Sequence, residues 1–259
     1  DGTERPVHIS TTALKHNLFC IGKPGTGKST LMLHLCLAAL EDPEGPALLV
    51  VDPHGDLAQQ LIGALPEGIE DRVRILDVGD PDYCFPFNPL DVHRDGWDVR
   101  AVTHSIVDIG RALWSDYWGP RMQIPLTRGV QLLAAANARR PADACLGLSQ
   151  LASLLNADPE LRQAFLATEL TDSPHLEPLA RYFRREYDSL NHYFRQQIIQ
   201  PVLSKAYRFE EEPMLTLFSC PSSRLDLQQV FRERQVLVIT TGKNRYGAEI
   251  SDFIGSLLI

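Results

Sequence analysis

Short apolar runs alternate with helical patterns over the first part of the chain and again at its end. Strand patterns occupy residues 18–21, 47–51, 73–76 and 235–240. Helical patterns occupy residues 29–40, 57–65 and 248–259. Because strands that alternate with helices build parallel sheets, this order predicts an α/β core with a mainly parallel sheet.

Between these α/β segments the strand patterns disappear and helical spacing takes their place. Six helices are predicted, at residues 99–113, 121–139, 148–155, 159–168, 176–190 and 194–205. Asp158 followed by Pro159 is a typical helix start. We therefore predict a first part of the core at 1–96, an inserted all-α domain at 97–207 and a continuation of the core at 208–259.

Residues 22–29 read Gly-Lys-Pro-Gly-Thr-Gly-Lys-Ser and match the phosphate-loop pattern G-x-x-x-x-G-K-[ST] in full. A predicted strand precedes this phosphate loop and a predicted helix follows it, as the motif requires. The alternative is a chance glycine turn, which this context disfavours. The predicted nucleotide-binding residues are Gly22, Lys23, Pro24, Gly25, Thr26, Gly27, Lys28, Ser29 and Thr30.

The residue types of the phosphate loop suit a polyphosphate. Glycines allow the backbone N–H groups to converge on one concavity, where the dipole of the following helix adds partial positive charge. Lys28 can reach the β- and γ-phosphates as a point charge, and the Ser29 hydroxyl can ligate Mg²⁺. The sequence therefore predicts binding of a nucleoside triphosphate with Mg²⁺.

Composition narrows the class of protein further. The 259 residues are 44% hydrophobic, with no run of apolar residues long enough to span a membrane. The five cysteines include no C-x-x-C pair, and the histidines show no paired spacing, so neither a disulfide framework nor a structural metal is predicted. A net charge of −8 excludes a uniformly basic nucleic-acid surface but leaves room for a local basic groove or ring lumen.

Several further segments resemble those of one family. Residues 51–57 contain D-P-H-G-D, residues 87–90 read F-N-P-L, and residues 118–121 read W-G-P-R. Together with residues 7–18, which lead into the phosphate loop, they resemble the HerA/FtsK superfamily of P-loop ATPases. Within it they are most similar to the branch of TraG/TraD-type coupling proteins of conjugation and type IV secretion and their HerA-like relatives.

This resemblance implies a RecA-like P-loop NTPase core, ATP as the nucleotide, and a homo-hexameric motor that moves DNA through a central channel. It also implies a cytoplasmic protein, at the inner membrane if a membrane anchor lies upstream. Relatives carry a later strand that ends in Asp-Glu, and no such strand occurs before Ile259. We therefore expect part of the core to be missing, DNA-dependent ATP hydrolysis to belong to a longer parent protein, and this chain alone to be inactive.

Three other residues are candidates for a catalytic role. Asp52 and Asp56 follow a predicted strand, where carboxylates can face a γ-phosphate or a metal. The alternative is that Asp56 caps the next helix while Asp52 stabilises the Pro-His-Gly turn. Arg245 could sense phosphate or reach a neighbouring subunit, the alternative being a solvated loop arginine.

Residues 181–195 interleave arginines with aromatic residues, as some single-strand-binding surfaces do. The competing interpretation is an amphipathic helix that buries its aromatic face and solvates its arginines.

Two functions from different classes remain open. One is a DNA-translocating ATPase; the other is a nucleotide-dependent switch or scaffold without sustained hydrolysis, with a small-molecule kinase as a weaker third.

Overall fold

A three-stranded parallel sheet forms the centre of the molecule. The computed structural model describes residues 18–41, 45–94, 96–171 and 173–258. The strands β1 (Leu48–Asp52) and β2 (Val73–Asp77) flank β3 (Val236–Thr240) in the order β1-β3-β2. Both pairings are parallel, and Val238 lies opposite Val50 on one side and Ile75 on the other. Four of the five β3 residues are buried because this strand has neighbours on both sides.

One face of the sheet is covered by two helices, α1 (Lys28–Leu40) and α2 (Asp56–Gly63). A small hydrophobic cluster fills this interface and consists of Cys36, Leu40, Val50, Ala58, Leu61, Val236 and Val238. Burial raises the pKa of the Cys36 thiol, as expected for a packed core cysteine. The helix that follows the phosphate loop, α1, packs on α2, and α2 in turn packs on β1 and β3.

The opposite face of the sheet packs against a much larger helical layer. Leu76, Leu237 and Ile239 point to this side because side chains alternate along a strand. The covering helices include α3 (Val99–Leu113) and α12 (Ala248–Leu258), which contact each other. Trp114, at the end of α3, stacks on Phe253 of α12 with ring centroids 5.5 Å apart.

The remaining elements are helical, and most follow the predicted pattern. They are α4 (Pro120–Asn137), α5 (Gln150–Asn156), α6 (Pro159–Glu169), α7 (Glu177–Arg181), α8 (His192–Ala206), α9 (Met214–Phe218), α10 (Leu227–Arg232) and α11 (Lys243–Tyr246). A π-helical turn, Tyr182–Tyr187, follows α7, so the single helix predicted for 176–190 is divided. The short helices α9, α10 and α11 were not predicted.

The strand predicted just before the phosphate loop is wrong for this structure. Residues 18–21 form no strand, and the side chains of Phe19 and Ile21 are 85% and 80% exposed. An apolar run becomes a strand only where a neighbouring strand pairs with it, and the described sheet pairs β1, β3 and β2 alone. The other three predicted strands are confirmed within a residue at each end.

The division into a core and an inserted domain remains a prediction. The described residues between 97 and 207 contain no strand. The large hydrophobic cluster nevertheless runs without interruption from Leu237 and Ile254 of the α/β elements to Leu133 and Leu203 of the helical segment. The helical segment and that face of the sheet share one core.

A buried ion pair organises the helices around α5. Arg162, whose side chain is 0% exposed, donates from Nε and Nη2 to Oδ1 of Asp188 at 3.0 and 2.6 Å. Its Nη1 donates to the carbonyls of Leu154 and Leu155, and the Tyr187 hydroxyl also donates to Leu155. These donors satisfy carbonyls in the last turn of α5, which have no partner within the helix. Burial raises the pKa of Tyr187, which keeps its hydroxyl protonated.

Breaking this buried pair should destabilise the fold strongly. We expect Arg162→Met or Asp188→Asn to lower the free energy of unfolding by about 3–5 kcal/mol, because each leaves a buried charge without its partner. Urea denaturation measures this directly. The control is Arg111→Met, which removes an ion pair to Asp108 whose side chains are 53% and 66% exposed, and should change stability by less than about 1 kcal/mol. Equal losses in both variants would contradict the assignment.

Candidate functional site

The phosphate loop has the backbone that its glycines predict. Gly25 and Gly27 have φ values of +79° and +87°, in the left-handed region that side chains with a Cβ disfavour. A Cβ on Gly22 would lie 2.4 Å from the Thr26 hydroxyl, which donates to the Lys23 carbonyl at 2.8 Å. The loop therefore folds back on itself into a cradle that only these small residues allow.

The start of α1 is open for an anion. Gly27 occupies the position before the helix and supplies no side chain to cap it. The first N–H groups of a helix have no partner within the helix, and the dipole gives this end a partial positive charge. Such an uncapped end next to a glycine loop fits a phosphate group.

The polar side chains of the loop are available for ligands. Lys28 Nζ donates to the Lys23 carbonyl at 2.9 Å, so the ammonium group lies over the cradle. Ser29 and Thr30 are exposed, and their hydroxyls have no hydrogen-bond partner among the described residues. The residues present therefore fit a triphosphate with Mg²⁺: a cation over the cradle and a free hydroxyl at the second helical position.

Asp52 stabilises the turn after β1 and also bonds the first turn of α2, a contact that was expected of Asp56. Asp52 is 8% exposed, and its two oxygens accept the N–H of His54 at 3.1 Å and of Ala58 at 3.0 Å. The turn-stabilising interpretation of Asp52 is thus confirmed. The expectation that Asp56 caps α2 is wrong, because α2 begins at Asp56 itself and the Asp52 carboxylate reaches the first turn instead.

The loop after β1 is joined to the loop after β3. Lys243 N–H donates to the Pro53 carbonyl at 2.9 Å. Asn244 Nδ2 donates to the His54 carbonyl at 3.3 Å, and its Oδ1 lies 3.0 Å from His54 Nδ1. The Asn244 Nδ2 group donates to the His54 carbonyl, so the atom that faces His54 Nδ1 is the Asn244 oxygen, which can only accept. His54 therefore donates from Nδ1, and its Nε2 lies on the other side of the ring.

Arg245 is also held at this edge of the sheet. Its Nη1 donates to the Gly79 carbonyl at 2.6 Å, and its guanidinium lies 5.3 Å from the Tyr246 ring centroid. Gly79 belongs to the turn after β2, where Asp77 accepts from the Gly79 N–H and from the Thr240 hydroxyl. Arg245 is exposed but hydrogen-bonded, so the interpretation as a solvated loop arginine is incomplete.

Sequence reasoning missed Asp77 as a residue of this region. It ends β2, and Thr240, which ends β3, donates to it at 2.7 Å. An available signal was the acidic residue directly after the apolar run 73–76, the same pattern that drew attention to Asp52. The carboxyl ends of the three parallel strands thus bring together Asp52, Asp77, Thr240 and the loop that carries Arg245, at the edge where α/β proteins place ligands.

The F-N-P-L segment serves to hold loops together. Asn88 is fully buried, and its Nδ2 donates to the carbonyls of Leu146 and Cys220 at 3.0 and 2.9 Å. Asn137, also fully buried, donates to the carbonyls of Leu90 and Leu146. Two satisfied amides therefore join three separate chain segments, and this part of the family resemblance reflects packing.

The interleaved arginines and aromatics divide into buried and exposed groups. Phe183, Tyr187 and Arg195 are 0%, 2% and 6% exposed, so these side chains belong to the core. Tyr193 and Phe194 are 67% and 54% exposed and contact each other edge to face. The amphipathic interpretation is confirmed for the buried aromatic side chains and for the exposed Arg184 and Arg185, and it is wrong for the buried Arg195.

The sheet, its helices on both faces and the phosphate loop at the start of α1 are consistent with the core of a P-loop NTPase. Residues 1–110 match a family model described as "Helicase HerA, central domain". The match includes the phosphate loop, both edge strands and most of α3, and it supports membership of the HerA/FtsK-like superfamily of ATPases. No curated protein matches the chain.

None of the helices in the described ranges is both long enough and apolar enough to cross a membrane. The residues matched by the family model begin at position 1, before the described part of the chain. The resemblance noted for residues 7–17 therefore lies outside the described residues.

Asp52 and Asp56 offer a matched pair of substitutions. Asp52→Ala removes two hydrogen bonds from a buried carboxylate and should lower the free energy of unfolding by about 1.5–3 kcal/mol. Asp56→Ala removes only an exposed charge near the start of α2 and should cost at most about 1 kcal/mol. Thermal unfolding of both variants tests the difference. A larger loss for Asp56→Ala would show that the cap is assigned to the wrong residue.

Proposed function

We propose that this chain is the ATP-binding core of a DNA-translocating motor ATPase, of the TraG/TraD type or a HerA-like relative in DNA processing or defence. The observation that carries the proposal is the open phosphate loop at the start of α1, within a segment that matches the HerA central domain. That match supports an ATPase motor domain of the HerA/FtsK type. Transport of DNA is the further step that the proposal adds.

The nucleotide site is assigned residue by residue. Backbone N–H groups of residues 23–28 hold the phosphates, and Lys28 exchanges its contact with the Lys23 carbonyl for a phosphate oxygen. The Ser29 hydroxyl takes a position in the coordination shell of Mg²⁺. When bound, Mg²⁺ neutralises charge on the β- and γ-phosphates.

The proposal gives Asp52 a positioning role. Both of its oxygens accept backbone N–H groups, so it fixes the turn 53–55 against the start of α2. Asn244 contacts His54 of that turn, and Arg245 donates to Gly79 of the turn after β2. Hydrogen bonds therefore join the loop after β1 to the loop after β3, and we propose that the two loops move together. The proposal leaves the catalytic base unassigned.

Assembly as a homo-hexamer around DNA, on the cytoplasmic side, completes the proposal. It is supported by the HerA match, since motors of that family typically bind DNA and oligomerise. Arg245 is a candidate to act across a subunit boundary because it is exposed at the edge of the sheet.

Removing the ammonium group over the cradle should weaken nucleotide binding. We expect Lys28→Ala to weaken binding of Mg²⁺-ATP by at least about tenfold, because a charged contact to phosphate is lost. Titration calorimetry measures binding, and phosphate release with and without single- and double-stranded DNA measures turnover. Arg111→Ala is the control, with the same change of charge on the exposed face of α3.

The outcomes separate the two functions considered. DNA-stimulated hydrolysis that disappears in Lys28→Ala supports the motor. Tight ATP binding by a protein that, with its natural flanking sequence, shows no turnover on any DNA would contradict the motor and favour the nucleotide-dependent switch or scaffold. Unchanged ATP affinity in Lys28→Ala would contradict the nucleotide site itself.

DNA contact is proposed at the exposed part of the basic and aromatic segment. The Arg184 side chain is 45% exposed, and its one ion pair among the described residues is a 3.5 Å contact to Glu177. The rings of Tyr193 and Phe194 are exposed. We expect Arg184→Ala with Arg185→Ala to weaken DNA binding and to reduce the slope of log affinity against log salt by about 1–2, as two phosphate contacts require. The double variant Arg100→Ala with Arg111→Ala removes the same charge from α3. Equal effects of the two double variants would contradict a local contact.

A further inference from the structure

A cavity of about 420 Å³ lies on the helical side of the molecule and contains none of the phosphate-loop residues. Its walls come from the segment 87–97, the middle of α3, the start of α10 and the end of α12. Pockets that hold small ligands range from about 300 to 1,000 Å³. This cavity is therefore large enough for a compact organic molecule or one end of a peptide.

Arg94 is the residue that gives the cavity its chemistry. Its guanidinium carbon lies over two aromatic rings, 4.7 Å from the Phe87 centroid and 4.5 Å from the Trp97 centroid. These two contacts restrict where the guanidinium group can move. Desolvation lowers the pKa of Arg94, in agreement with its enclosed position.

Most of the donors of Arg94 have no partner among the described residues. Nε donates to the Asp91 carbonyl at 3.3 Å. The two terminal nitrogens make no hydrogen bond and no ion pair within the described residues. A planar cation that is fixed by two rings and keeps free donors is preorganised for a planar anion with two oxygens.

The rest of the lining is polar on one side and apolar on the other. Ser105 has no hydrogen-bond partner among the described residues, and Ser223 accepts from the Asn88 N–H, so both hydroxyl hydrogens are free to donate. Leu225 and Leu257 are buried and supply an apolar wall. The cavity therefore suits a ligand with a charged end and an apolar body.

Two carboxylates near Arg94 restrict the charge of that ligand. Asp91 and Asp226 are close enough to influence the guanidinium but form no ion pair with it. Asp91 accepts from the His93 N–H, and Asp226 accepts from two N–H groups at the start of α10. Their negative charge opposes a phosphate dianion more strongly than a singly charged carboxylate.

We infer that this cavity binds a carboxylate carried next to an apolar group, with the Arg94 fork on the two oxygens and the leucine wall against the apolar part. The same chemistry occurs in a free organic acid and in the C-terminal carboxylate of a peptide. A purely structural role for Arg94 would use its two ring contacts and leave both terminal nitrogens without a hydrogen-bond partner among the described residues. This inference does not depend on the nucleotide-binding proposal.

The test uses Trp97, whose ring contacts Arg94, as the reporter. The chain has three tryptophans, so its indole N–H signals can be assigned by NMR with a Trp97→Phe variant. The probes are 3-phenylpropionate, its neutral amide, inorganic phosphate, and a tripeptide that ends in phenylalanine with a free or an amidated terminus. We expect the two carboxylates to shift the Trp97 signal and leave those of Trp114 and Trp118 unchanged, whereas the amides and phosphate have little effect.

Two kinds of variant separate binding from folding. Arg94→Lys keeps the charge but loses the fork, and it should weaken carboxylate binding by about tenfold. Ala142→Trp leaves Arg94 intact and fills the exposed mouth of the cavity, so it should abolish binding even if Arg94→Lys fails to fold. Arg111→Lys, an arginine over the Trp118 ring, is the matched control and should bind like the unsubstituted protein.

Whichever carboxylate binds more tightly identifies the source, a free acid or a peptide terminus. Amides that bind as well as the acids would overturn the inference, as would stronger binding of phosphate. Absence of any Trp97 shift, or carboxylate binding that survives Ala142→Trp, would overturn it as well.

Discussion

Pairing of β3 with both β1 and β2 is the interaction on which the rest of the structure depends. The two edge strands come from the beginning of the chain and do not pair with each other, so β3, from near its end, is what joins them. Each face of β3 serves a different hydrophobic cluster. Val236 and Val238 pack under α1 and α2, and Leu237 and Ile239 pack under the helical layer. The phosphate loop and the helical layer are thus connected through one buried strand.

Buried amide side chains hold the loops on the helical side of the sheet in place. Asn88 and Asn137 each donate both amide hydrogens to backbone carbonyls, and each side-chain oxygen accepts one backbone N–H. Buried amides must be fully bonded to be tolerated, and a fully bonded pair rigidifies the chain around it. The segment that carries Phe87, Arg94 and Trp97 therefore begins from a fixed point, which helps to keep the guanidinium over the two rings.

Much of the fold could be predicted because its strands are continuous apolar runs and its longer helices show regular spacing. The same rule failed at residues 18–21, since a short apolar run does not reveal whether a neighbouring strand exists to pair with it. Helical spacing also could not reveal the π-helical turn at Tyr182–Tyr187, where one stretch of sequence contains two kinds of helix. The phosphate loop was predictable from its motif. The contacts of Asp77 with Thr240 and of His54 with Asn244 join residues that are far apart in sequence. No local sequence pattern predicts such contacts.

The contact between Lys28 Nζ and the Lys23 carbonyl has a consequence for how the phosphate loop meets its ligand. The loop supplies an internal substitute for a phosphate oxygen, so the ammonium group is satisfied before any nucleotide arrives. Binding is then an exchange of one acceptor for another rather than the filling of a vacant contact. The measured affinity reports the difference between the two acceptors. The internal contact therefore reduces the gain in free energy that a phosphate oxygen brings to Lys28.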